Sequence, residues 1–188
     1  MMRSTGYVGY LLREMMKQQD IASVLTNPHN PDDFIAGYVR AINGRSALLL
    51  SIGPYGHSDG WFAVRLASVL EVAGDTPYAQ RLTRLIAIHG DPLPNFPDDQ
   101  SDWQEGDHIG LILRYAQRHG MASTIWTSDD AYTGFVDEID DLFVTMQTLD
   151  MVGRPMGPVK LKLVDAELIS VDSEEEHVFQ LLYNTPEK

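Results

Sequence analysis

The chain has 188 residues, no cysteine and a formal net charge of −13. The absence of thiols excludes disulfides, thiolate metal sites and cysteine nucleophiles, and no segment approaches the ~20 apolar residues of a membrane-spanning helix. Residues 1–97 carry eight basic and eight acidic side chains, whereas residues 98–188 carry six basic and nineteen acidic, so a polyanion such as RNA is a poor ligand for the second half.

In chain order, Val8, Leu11, Leu12, Met15 and Met16 form one apolar stripe, which predicts a helix over 8–25 and not a signal peptide. A polar turn at 27–33 leads into a strand over 34–42. Asn43-Gly44 then reads as a two-residue hairpin turn of the type that needs positive φ. Further strands are expected at 47–52, 61–66 and 69–72, with a loop over 53–60. Thr76 and Pro77 open a helix to 88, as N-cap and first residue. Residues 91–104 are rich in Pro and Asp and read as a linker. A second helix is expected at 106–119, stopped by Gly120. Strands follow at 133–139, 143–149, 159–163 and 168–171. Ser173 caps a last helix that begins with three glutamates, acids that suit the positive end of the helix dipole.

These two series are one series written twice. Sliding the chain by 97 residues superposes Asp32, Asp33, Gly37, Val39, Ile42, Gly56, Gly60, Leu66 and Asp75 on identical residues, with no gap. A repeat this long reports duplication of a small domain and not a solenoid unit. The expected domains are 1–90 and 105–188, joined by 91–104. Each is a helix, four or five short antiparallel strands and a tail helix, and five strands in so short a segment would close as a small bent barrel.

The segments Phe34-x-x-Gly37-Tyr38-Val39-x-x-Ile42-Asn43, Ala47 to Ile52, and Val64-Arg65-Leu66-x-x-Val69-Leu70-Glu71-Val72 resemble the Sm-like (Lsm) small β-barrel family. The resemblance spans about 45 residues of each repeat. It implies a mainly β fold with accessory helices: two tandem Sm-like five-stranded bent-sheet barrels, each preceded and followed by a helix. It also implies RNA contact through Asn43, Arg45 and Arg65 of the first repeat. Leu66 stands where that family has the glycine of an Arg-Gly pair. In the second repeat, Asp137, Glu138, Asp140 and Asp141 crowd the corresponding turn and would repel phosphate.

Tyr55, His57, Asp59 and Trp61 form the most individual loop of the first repeat and a candidate ligand or partner loop. No histidine spacing suits a metal site, and no phosphate loop or nucleophile motif is present, so no cofactor, metal or catalytic residue is assigned. The expectation is a cytoplasmic, non-enzymatic interaction or regulatory module that binds a protein partner or itself. Neither membrane nor DNA is an expected partner. RNA binding through the first repeat is the alternative. A small molecule or substrate held between the repeats ranks third.

Overall fold

A computed structural model describes residues 5–27, 30, 33–90, 93–94 and 106–185. The elements are α1 (Thr5–Gln18), β1 (Ile21–Leu25), β2 (Phe34–Ile42), β3 (Ser46–Ile52), β4 (Ser58–Arg65), β5 (Glu71–Ala73) and α2 (Pro77–His89), then α3 (His108–His119), β6 (Ala122–Trp126), β7 (Ala131–Ile139), β8 (Phe143–Leu149), β9 (Pro155–Lys162), β10 (Leu168–Val171) and α4 (Glu174–Asn184).

The two closed barrels expected from the sequence are not formed. The ten strands make one open antiparallel sheet in the order β5-β1-β2-β3-β4-β10-β6-β7-β8-β9. Closing the first repeat would require β4 to pair with β5. Instead β4 pairs with β10, the fifth strand of the second repeat, and among the described residues β5 has only β1 beside it. Nor is the fold mainly β as expected: it is mixed α+β, with four helices among the described residues.

Two compact units result. Unit 1 is residues 1–59 with 65–106, and unit 2 is residues 60–64 with 107–188. The expected linker at 91–104 lies outside the described residues except for Leu93 and Pro94.

In unit 1, α1 packs on β2 and β5, and α2 packs on β1. The expected helix to residue 25 stops at Gln18, because Gln19 takes φ 56° and turns the chain into β1. Ile21, Ala36, Ile52, Ala79 and Leu82 form a buried cluster, joined by Phe34, Tyr78 and Leu93. The rings of Phe34 and Tyr78 meet edge to face at 5.3 Å.

Unit 2 repeats the scheme, with α3 on β7 and β10 and α4 on β6 and β7. Ile109, Ile112, Leu113 and Ala116 of α3 are buried, as are Ile125, Val144, Met146, Ile169 and Val171 of the strands. The strand β6 follows Gly120, the expected left-handed cap at φ 61°.

The repeat extends to single hydrogen bonds. Both units carry a bulge at the same place, between Val39 and Ala41 and between Val136 and Glu138. Leu66 N–H donates to Arg45 O at 2.9 Å, and Leu163 N–H to Leu142 O at 2.8 Å. Gly37 and Gly134 are fixed by close approach. A Cβ at either would collide with a facing backbone carbonyl, of Leu50 or of Gln147.

Candidate functional site

The hairpin turn that holds Asn43 and Arg45 differs from the expected type. Gly44 does not have positive φ. The Asn43 side chain shapes the turn instead, its Oδ1 accepting from Arg45 N at 2.8 Å and Ser46 N at 3.0 Å. Asp140 does the same in unit 2, accepting from Leu142 N and Phe143 N, each at 2.7 Å. Those two backbone donors hold the Asp140 carboxyl below its ordinary value. The remaining amide of Asn43 donates to Gly106 O at 2.6 Å, so both ends of this side chain are already engaged. The bond from Leu66 N to Arg45 O brings the Arg65 backbone beside this turn, and Arg45 itself is exposed.

In unit 2 the corresponding turn is acidic, and α3 partly answers it. Arg114 reaches Ile139 O at 3.4 Å, Asp140 O at 3.3 Å and Asp141 Oδ1 at 3.0 Å. Gln117 donates to Asp137 O at 2.7 Å.

The loop at 53–57 lies on α2. Its Gly56, at φ 84°, passes so close that a Cβ would sit 2.6 Å from Leu85 Cβ. His89 Nε2–H donates to Tyr55 O at 2.8 Å, and the His89 ring stacks on His57 at 4.1 Å between centroids. Tyr55 and His57 are exposed, whereas Asp59 is half-buried on β4. Trp61 is 3% exposed, belongs to unit 2 and faces Val171 of β10. The four residues expected to act as one loop are therefore divided between an exposed turn, a strand and the core of unit 2.

The matching loop of unit 2 has the same backbone and different chemistry. Gly153 is seated on α4, where a Cβ would lie 2.5 Å from Leu182 Cβ. Around it stand Met151, 90% exposed, and Val152. Met156, at the start of β9, is also exposed, as are Leu142 and Val164 near its other end. β9 is the last strand of the sheet, and its Pro155, Met156, Pro158, Lys160 and Lys162 are exposed.

One functional group in the interior was missed in the sequence. Glu176 is buried, with Thr124 and Ser170 donating their hydroxyls to Oε1 and Ser173 donating its hydroxyl and its N–H to Oε2. In the first repeat its place is taken by buried Ala79. Ser23, which pairs with Ala36 as Thr124 pairs with Thr133, has a buried hydroxyl with no partner among the described residues. The spacing Ser173-x-x-Glu176 is a capping box, a readable signal for this carboxylate. It is a fully bonded structural group.

Among the described residues, no three His, Asp or Glu side chains converge as a metal site would require, and no helix is long and apolar enough to cross a membrane. Comparison with protein-family models, curated proteins and solved structures finds no match to this chain.

Proposed function

We propose that this protein is a non-enzymatic interaction module that binds another polypeptide through the β9 edge of unit 2. The observation that supports this reading is the surface along that strand. β9 ends the sheet, so it presents backbone N–H and C=O groups to which an extended segment can add. Its two ends are bracketed by exposed apolar side chains, Met151, Val152 and Met156 at one and Leu142 and Val164 at the other. Exposed apolar groups beside an open edge fit a protein partner better than a nucleic acid. The concentration of acidic side chains after residue 97 points the same way.

The test is a photo-crosslinking side chain placed at Met156 and, as control, at Arg84 on α2, followed by identification of adducts in host cells. Protein adducts at residue 156 and few at residue 84 are expected. Equal labelling at both places, or adducts to RNA instead of protein, would overturn the reading.

A further inference from the structure

Unit 2 contains a strand that the sequence places in the other half. Gly60–Val64 pairs with β10 in the register Trp61↔Val171, Phe62↔Ser170, Ala63↔Ile169 and Val64↔Leu168. Trp61, Ala63, Val64, Ile169 and Val171 are buried there. Gly60, at φ 75°, lets the strand pass close to the turn after β10. A Cβ on it would come within 2.5 Å of Ser173 N and 2.6 Å of Val171 O. That turn is held by Asp172 at φ 65°.

The 97-residue repeat places each half of this seam a second time. Residues 60–64 fall on 157–161 of β9, and 168–172 fall on 71–75, which is β5 and the turn after it. Both are the terminal strands of the open sheet. Asp75 keeps the left-handed turn, at φ 51°. Gly157 keeps the glycine, at φ 116°, yet among the described residues no atom lies within 4 Å of where its Cβ would stand. Among the described residues, unit 1 thus has the receiving strand and turn without a strand beyond β5, and β9 has the donor glycine with nothing seated on it.

We infer that β9 of one copy completes unit 1 of a second copy, pairing antiparallel with its β5 in the register Pro158↔Gly74, Val159↔Ala73, Lys160↔Val72 and Leu161↔Glu71. This rests on the reading of β9 as a protein-binding edge and names its partner. The repeat selects the head-to-tail arrangement, because β9 is the counterpart of β4, and β5 that of its partner β10. Lys160 and Lys162 are exposed on β9, and Glu71 and Asp75 are exposed on and after β5. In this register Lys160 falls opposite Val72 and Leu161 opposite Glu71, so Glu71 and the two lysines lie on opposite faces of the joined sheet. The outer seam is weaker than the inner one. Pro158 replaces Trp61 and offers no N–H donor, and Lys160 replaces Ala63. A contact between unlike edges repeats from copy to copy, so it closes into a ring or continues as a filament.

Sedimentation equilibrium of the full chain tests this. The mass should rise with concentration from 21.1 kDa in whole multiples. Gly157→Ala, whose Cβ meets open space among the described residues of the single chain but would crowd the turn at Asp75 of the second copy as a Cβ on Gly60 would crowd that at Asp172, should weaken association by about tenfold or more, with circular dichroism showing the fold retained, and Lys160→Ala, the residue of the inner seam, should strengthen it. A chain that stays at one mass at every concentration, or association indifferent to both substitutions, would overturn the inference. The crosslinker at Met156 separates the two readings. An adduct to a second copy supports self-pairing. An adduct only to a different protein overturns self-pairing and leaves β9 as a protein-binding edge. No adduct overturns both.

Discussion

Units 1 and 2 share a backbone down to bulges, turns and glycine seats, and they differ in what finishes them. Unit 2 includes residues 60–64 against β10, whereas the counterpart of β10 in unit 1, β5, has a neighbour on one side only among the described residues. Their chemistry also diverges at matched positions. Glu176 is buried where unit 1 has Ala79, Asp140 shapes the turn that Asn43 shapes in unit 1, and exposed Met151 and Val152 stand in place of Pro54 and Tyr55. A duplicated fold kept the glycines and turns that fix its geometry and released positions both on its surface and, at Glu176 and Ala79, in its interior.

The largest effect should come from the strand that completes unit 2. Trp61→Ala removes a buried ring and should destabilise by about 3–5 kcal/mol. Its counterpart Pro158→Ala lies on an exposed edge and should change stability by under about 0.5 kcal/mol. Urea denaturation of both variants checks this, and equal losses would erase the distinction between the two strands. Next come the glycines the units hold in common. Gly37→Ala and Gly134→Ala each force a Cβ against a facing carbonyl and should each cost about 3 kcal/mol. Unequal costs would show that the two hairpins are packed less alike than their registers indicate.

A smaller effect should separate the two tail helices. Glu176→Ala strips the acceptor from three hydroxyls and one N–H and should cost about 2 kcal/mol, measured by thermal or urea unfolding. Glu176→Gln keeps one oxygen acceptor and should lose less. The smallest effect concerns the hairpin turns. Asp140 has its pKa lowered by backbone N–H bonds, so its charged form is favoured in the folded state. The resulting stability is present above the ordinary value of 3.8 and is lost as pH falls through the lowered folded value. Asp140→Asn should flatten that acid limb of the stability profile, while Asn43→Ala should act independently of pH. An unchanged acid limb in Asp140→Asn would remove the assigned cause.

Much of this was legible in the sequence. The glycine pairs, the caps at Thr76 and Ser173 and most strands follow from residue type and spacing. The errors have local causes. The apolar pattern runs the first helix through β1 because no Gly or Pro marks the boundary, and Gln19 makes the left-handed turn instead. The Asn43-Gly44 pair points to a glycine-dependent turn, although Asp141 at the matching position shows that no glycine is needed there. Glu176 stands third in an acidic run, where the helix dipole alone accounts for an acid and nothing in the residue type marks it as buried. Barrel closure was a different kind of error. Whether β4 meets β5 or β10 is a choice between distant strands of similar apolar pattern, and periodicity carries no information about it. The candidate residues Asn43, Arg45, Tyr55 and His57 were found on turns as expected. The β9 edge was seen in the sequence only as a clean apolar and basic alternation.

Hydrogen exchange at rising protein concentration tests the central claim most directly, by comparing β10 with β5 and β9. The amides of β10, flanked by β4 and β6, should exchange slowly at every concentration. Those of β5 and β9 should become protected together as concentration rises. Protection of β5 and β9 that does not change with concentration would contradict the account.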